Sequence, residues 1–277
     1  MKLTDPVLIE LEALIQAIYL RFQYDFRQYA RSSLRRRLEQ AMIRFHCASI
    51  SELQHRVLFE KDFFFQVIPY MTVNTTEMFR DPSYFATLRE KVFPYLQTYP
   101  SIRIWVAGCS TGEEVLSLSI LLNEMNIKRF IIYATDINPH NLEVAAKGIY
   151  DRESIQKASK NYQLCGGKGS LSDYYHSAYE SVKFDSDLLT NVVFSDHSLA
   201  TDSVFAETHF VSCRNVLIYF DRKLQDRVLR LFHDSLIREG FLGLGNKETI
   251  QFSSIKDDFD VVDNPNRIYQ KKRGGST

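Results

Sequence analysis

Residues Ile102–Glu114 read IRIWVAGCSTGEE, an apolar run that passes through a glycine-bearing turn into a pair of acids. At the carboxyl end of a buried strand, Gly108 and Gly112 let a ligand approach the backbone closely, which suits a nucleotide-like cofactor. Glu113 and Glu114 then stand where a helix N-terminus would otherwise attract phosphate, so a pyrophosphate is disfavoured and a cationic ammonium or sulfonium is favoured. Asp136 ends the apolar run FIIYATD about two dozen residues after Gly112, where an acid in this kind of fold hydrogen-bonds ribose hydroxyls. Asp136 has a second reading, as the N-cap of a helix starting at Pro139. The turn and the acid in register carry more weight than either alone. Cys47, Cys109, Cys165 and Cys213 lack CxxC spacing, so neither a zinc site nor a disulfide framework is suggested, and no metal is expected.

These residues need a sheet to hold them. From Ile102 onward short apolar runs alternate with helical patterns: IRIWVAG, VLSLSILLNEM, FIIYATD, NLEVAAKG, NVVFS, HFVSC, a long helical DRKLQDRVLRLFHDSLIREG, FLGLG and RIYQK. Strands alternating with helices predict a doubly wound α/β domain with a parallel sheet covered on both faces. Between Tyr150 and Thr190 the alternation lapses, and a small inserted β-subdomain is expected at about 151–190. Residues 6–98 instead repeat apolar positions at helical spacing, as in Leu11, Leu14, Ile15 and Ile18, then Leu34, Leu38, Ala41 and Met42. Asp81-Pro82 offers an N-cap followed by proline in the first helical position. The expected division is therefore an all-α N-terminal domain over 1–80 and an α/β domain over 81–277.

With 277 residues, 45% hydrophobic and 25% charged, the chain has the composition of a globular protein. No apolar run approaches the roughly 20 residues of a membrane span, and the acid-bearing start reads as an amphipathic helix, so a cytoplasmic location without membrane insertion is expected. Formal net charge is zero, yet Arg21–Arg44 holds seven arginines against Asp25 and Glu39. Arg27, Arg31 and Arg35 recur every four residues as one predicted helical stripe, with Arg36 and Arg37 beside it. Such a stripe reads either as a docking face for an acidic partner or as a solvated face paired with acids elsewhere.

Three segments, WVAGCSTGEE, YATDINPHNLEVAAKGIY and VSCRNVLIYFDRKLQDRVLRLF, resemble the signature segments of the CheR chemotaxis methyltransferases, and NTTEMFRDPSYF resembles the family's N-T-T-x-F-F-R segment. The resemblance runs in order from about Tyr29 to Tyr269. It implies a helical domain followed by a Rossmann-like class I methyltransferase domain with an inserted β-subdomain. It also implies S-adenosylmethionine as donor, S-adenosylhomocysteine as product, and glutamates on the cytoplasmic helices of a methyl-accepting chemotaxis receptor as acceptor. Carried over, it puts Asn74, Thr76, Arg80 and Gly108 at the cofactor pocket, with Arg80 near the methionine carboxylate and the reaction centre. Glu114 would take the methionine ammonium, Asp136 the ribose, and Asn215 with Val216 would close the pocket. Arg80 and Tyr219 are the catalytic candidates, and Arg27, Arg31, Arg35 and Arg36 the docking candidates.

Ser198 and the adenine-proximal Leu199 are also expected at the cofactor, although the chain departs from the pattern at Ser198, where asparagine is usual, and at GLGNKETI, which keeps Glu248 but lacks the family's serine. The insertion also looks short for tethering a receptor tail. A carboxylate attacking a sulfonium methyl needs no strong base, because glutamate is already ionised at neutral pH, so positioning should dominate. Two other readings stay open. One is a methyltransferase with another acceptor; nucleic acid is disfavoured by neutral charge and by the lack of aromatic-basic interleaving. The other is a catalytically silent CheR-like binding module.

Overall fold

The computed structural model describes residues 5–72 and 75–274; Asn74, expected at the cofactor pocket, lies outside the described residues. Four helices open the chain: α1 (Pro6–Phe22), α2 (Arg31–Phe45), α3 (Ile50–Phe59) and α4 (Phe63–Met71). The Asp5 carboxylate caps α1 by accepting from the Val7 N–H at 3.0 Å, and Pro6 fills the first position, where no N–H is needed. Leu11, Leu14, Ile15 and Ile18 of α1 meet Leu34, Leu38 and Ala41 of α2 in a core completed by aromatic and aliphatic side chains of α4. The spacing i, i+3, i+4, i+7 gives each helix one apolar stripe, and burying those stripes together holds the bundle.

The α/β part follows: α5 (Pro82–Thr87), a wider turn over Leu88–Val92, α6 (Phe93–Leu96), β1 (Ile102–Ala107), α7 (Glu113–Glu124), β2 (Phe130–Asp136), α8 (Pro139–Lys147), β3 (Ile149–Asp151) and α9 (Arg152–Leu164). Then come β4 (Tyr175–Ala178), β5 (Ser181–Phe184), β6 (Val192–Asp196), β7 (Thr208–Cys213), α10 (Arg222–Ser235), β8 (Leu236–Leu244), β9 (Phe259–Asp263) and β10 (Ile268–Lys271). The seven-stranded sheet has the order β6-β2-β1-β7-β8-β10-β9. β1 pairs in parallel with β2 on one side and with β7 on the other, so the winding reverses at β1. A cleft therefore opens at the carboxyl ends of β1, β2 and β7, where ligands bind in such sheets. Side chains alternate along β1: Ile104 and Val106 enter the core under α5, α7 and α9, while Trp105 and Ala107 enter the core under α10.

Several expectations change. The sheet is mixed, because β10 runs antiparallel to both β8 and β9. The long helical reading through Gly240 stops early, since α10 ends at Ser235 and Leu236 starts β8; its apolar residues serve two periods in succession. β9 has no clear signal in the sequence. The insertion is a three-stranded antiparallel sheet, β3-β5-β4, and it also contains α9, whose Ile155, Ala158 and Tyr162 join the main core. Met78 and Phe79 also pack in that core, so the α/β unit begins before the expected break at residue 80.

The two parts are laced together next to the cleft. Tyr29 and Phe220 form an antiparallel bridge, the Ala30 N–H donates to the Tyr219 carbonyl at 2.8 Å, and the Asp221 N–H donates to the Gln28 carbonyl at 2.8 Å. No helix among the described residues is long and apolar enough to cross a membrane.

Candidate active site

Gly108 follows β1 with φ +73°, and a Cβ there would lie 2.6 Å from Val216 Cγ2. Glycine is thus required by the Val216 side chain as well as by the turn. Gly112, at φ +92°, caps α7, and a Cβ there would meet the Ala145 Cβ at 2.7 Å, so this second glycine serves the packing of α7 on α8. Between them, the N–H groups of Gly108 and Cys109 both donate to the Thr135 carbonyl, at 2.8 and 2.9 Å, which locks the turn to the end of β2.

Asp136 sits beside that turn, 8% exposed. One carboxylate oxygen accepts from the Ser110 N–H at 2.9 Å, and the other from the Asn138 N–H at 2.9 Å and Asn141 Nδ2 at 3.2 Å. Burial pushes this carboxyl up, and the hydrogen bonds from Asn138, Ser110 and Asn141 oppose it. Asp136 is not the N-cap of α8. Asn138 is, its side chain accepting from the His140 N–H at 3.1 Å.

The main cleft opens at these strand ends, where ligands bind in such sheets. It gathers Gly108, Asp136, Leu199, Asn215, Val216 and Tyr219 of the expected set. The helical domain supplies its roof, through Tyr29 and through Leu34 and Arg37 of α2. A second cleft adjoins it and shares Arg37, Thr72 and Tyr219. Arg36, Arg37 and Arg80 line this second cleft, together with Gln40 and Tyr70 and with no acid among the described residues. Arg80 is half-buried there, its guanidinium donating to the Thr75 carbonyl at 3.2 Å. The Arg37 guanidinium lies 5.0 Å from the centre of the Tyr219 ring and donates to the Thr72 carbonyl.

Other expected residues sit elsewhere. Glu114 lines neither cleft: Ser212 Oγ donates to it at 2.6 Å and the Arg214 guanidinium at 3.0 Å. Arg214, its side chain 2% exposed, also bonds the Asp81 carboxylate at 2.7 Å and the Arg80 carbonyl at 2.8 Å, and stacks 4.1 Å from the centre of the Tyr84 ring. Asp81, in the left-handed region, starts α5 as expected without a side-chain capping bond, because its carboxylate faces Arg214. The Ser198 N–H donates to Asp202 at 2.8 Å, and Ser198 lies off the main cleft while Leu199 lines it. Thr76 is half-buried and lines neither cleft.

Arg31 and Arg35 of the predicted stripe lie one turn apart on α2, and Arg27 falls outside it. Arg27 precedes α2, forks onto Asp25 at 2.8 and 2.9 Å, and stacks 3.5 Å from the centre of the Tyr19 ring. Arg31 pairs with Glu12, and Arg35 with Asp5 at 3.1 Å and Glu39 at 3.2 Å. Among the described residues no acid pairs with Arg36. The sequence reading missed the parts played by Tyr29, Arg37 and Arg214. Arg37 was detectable in principle, since Ser33, Leu34 and Arg37 share one helical face at i, i+1 and i+4.

A family model described as "CheR methyltransferase, SAM binding domain" matches residues 74–268, and "CheR methyltransferase, all-alpha domain" matches residues 9–72. The chain belongs to the CheR methyltransferase family. It is 52% identical over 264 residues to the "Putative methyltransferase Cher3" of Pseudomonas putida, covering 95% of this chain and 97% of that one. Chemotaxis protein methyltransferase 1 of Vibrio cholerae is 29% identical over 90% of each chain, and the Borreliella burgdorferi chemotaxis protein methyltransferase is 30% identical over 67% and 68%. Among solved structures, an S-adenosylmethionine-dependent methyltransferase from Geobacter sulfurreducens in complex with S-adenosylhomocysteine overlaps with a TM-score of 0.34 at 13% identity, over 61% of this chain and 49% of that one.

This CheR-family chain thus carries an S-adenosylmethionine-binding methyltransferase domain, and the main cleft fits that cofactor. Ile137, Leu199 and Met71 offer apolar lining for a purine, and the acid Asp136 stands at the end of β2. Asn215 lines the cleft, and its Oδ1 is buried with no protein partner among the described residues.

Proposed function

We propose that this CheR-family methyltransferase esterifies glutamate side chains on the cytoplasmic helices of a methyl-accepting chemotaxis receptor, releasing S-adenosylhomocysteine. The observation that carries the reading is the second cleft: three arginines and, among the described residues, no acid, meeting the donor cleft at Arg37, Thr72 and Tyr219. Such a cleft favours a carboxylate acceptor and disfavours a cationic one.

When bound, S-adenosylmethionine supplies a methyl group on sulfonium, so the methyl C–S bond breaks as a carboxylate oxygen–carbon bond forms, and no proton moves. The residues therefore act by holding and orienting. Arg80, which lines the second cleft, binds a carboxylate there, the cofactor's own or the acceptor's. Tyr219, with Arg37 against its ring, forms the wall along which the acceptor is aligned. A carboxylate held too tightly by several arginines would be a poor nucleophile, and Arg37 is partly occupied by Thr72 and Tyr219. Asp136 takes the ribose, Leu199 the adenine face, and Asn215 with Val216 the methionine end. Glu114 is already matched by Arg214, so Asn215 Oδ1 is the better acceptor for the ammonium. Of the expected docking residues, Arg36, exposed at the rim, takes the docking role.

The test incubates the chain with radiolabelled S-adenosylmethionine and receptor-containing membranes. Receptor label released by mild alkali is expected, and Arg80→Ala should abolish it while leaving the fold intact. Arg36→Glu should slow receptor methylation roughly ten-fold at low salt and less at high salt, with cofactor affinity unchanged. Label on nucleic acid, alkali-stable label, or no transfer despite cofactor binding would overturn the assignment.

A further inference from the structure

Asn215, Val216 and Tyr219 reach the donor cleft from the turn that follows β7, which contains only a single helical turn at Leu217–Tyr219. Asn215 has φ +60°, a conformation that costs a non-glycine residue and persists only where its surroundings impose it. The Glu248 carboxylate, in a residue 4% exposed, supplies that constraint. One of its oxygens accepts from the Asn215 N–H at 3.0 Å and from the Gly245 N–H at 2.7 Å. The other accepts from the Val216 N–H at 2.9 Å and the Ile218 N–H at 3.4 Å. No cation pairs with Glu248 among the described residues, so four backbone N–H dipoles face one buried anion.

Only an acceptor-only group satisfies donors on both of its oxygens; glutamine would turn an NH2 toward two of them. We infer that Glu248 is a positioning residue for methyl transfer, holding the Asn215–Tyr219 turn in the conformation that shapes the donor cleft and its junction with the acceptor cleft. This rests on reading the main cleft as the S-adenosylmethionine site and does not depend on the acceptor. It also explains how the chain keeps a built site at GLGNKETI without the serine its resemblance leads one to expect. The backbone pattern uses Glu248 and the Gly245 N–H, and Lys247 and Asn246 take no part in it.

The test measures S-adenosylhomocysteine affinity by calorimetry, with urea unfolding in parallel, for the wild type, Glu248→Gln and Glu248→Asp. Affinity is expected to fall at least about ten-fold in the Gln variant, with Asp intermediate because it remains acceptor-only but is one methylene short. Val182→Ala, in the inserted sheet away from the cleft, serves as a destabilised control and should keep wild-type affinity. Unchanged affinity in Gln and Asp overturns the inference. So does an Asp variant no better than Gln, or an equal loss in the Val182 control. Should the Gln variant fail to fold, the Asp variant decides: weakened affinity supports the role, and wild-type affinity refutes it. A wild type that binds the product tightly but methylates no receptor would overturn the acceptor assignment alone.

Discussion

Replacing Arg214 by methionine should destabilise the α/β domain by about 3–5 kcal/mol, the usual consequence of stranding one member of a buried ion pair. The magnitude follows from its surroundings. The Glu114 side chain is 14% exposed and, among the described residues, would keep only the Ser212 hydroxyl as a partner, while Asp81, 33% exposed, would be rescued by water and add little. The lost bond to the Arg80 carbonyl and the lost stacking on Tyr84 act in the same direction. Against a total stability of about 5–15 kcal/mol the change is large, and with a urea slope of about 3 kcal/mol/M it lowers the midpoint by about 1–2 M. The decisive measurement is the double variant. Adding Glu114→Gln to Arg214→Met removes the stranded charge and should recover about 1–3 kcal/mol of the loss. If Arg214→Met costs less than about 1 kcal/mol, or the second change recovers nothing, Arg214 does not balance Glu114. The carboxylate would then be available to a cofactor ammonium, as the family resemblance implies, and the assignment to Asn215 would fail.

Two further outcomes are expected. Burial alone would raise the Glu124 carboxyl, yet hydrogen bonds from Tyr162, Arg89 and the Lys168 N–H outweigh it and hold the group below its ordinary value of 4.5. Its stabilising contribution is therefore complete above pH 4.5 and is lost as pH falls through the lower folded-state value; urea midpoints followed from pH 6 to 3 should show that acid-side loss reduced in Glu124→Gln. Gly108→Ala meets both a positive φ and the Val216 methyl group, so cofactor affinity should drop at least about ten-fold, and adding Val216→Ala should restore part of it; calorimetry showing no recovery would mean that the contact is not limiting.

The elements with one strong periodicity were readable from the chain. Leu11, Leu14, Ile15 and Ile18 name the buried face of α1, and IRIWVAG and FIIYATD name β1 and β2, because burial on one stripe or on both faces leaves a local pattern. The junction at Ser235–Leu236 was not readable, since residues that continue a helical pattern also alternate as a strand, and the choice is made by pairing with β7 and β10. The site shows the same division. Gly108 and Asp136 announce themselves by type and register, whereas Arg37 and Tyr29 reach the cleft from a separate domain far off in sequence.

The arginines show why charge counted along a chain is a poor guide to charge presented to a partner. Arg31 and Arg35 look equivalent to Arg36 and Arg37 by composition, yet Arg31 pairs with Glu12 of α1 and Arg35 with Asp5 beside it, at sequence distances no local window covers. Beside those pairs, Arg36, Arg37 and Arg80 gather at the mouth of the second cleft, where no acidic residue lines it among the described residues. A spread stripe would attract any acidic surface. A focus of three cations beside Tyr219 instead rewards a partner that brings one carboxylate to one point, and in-line methyl transfer makes the same geometric demand. In a molecule of zero formal net charge, this local focus, and not overall attraction, has to supply the acceptor preference.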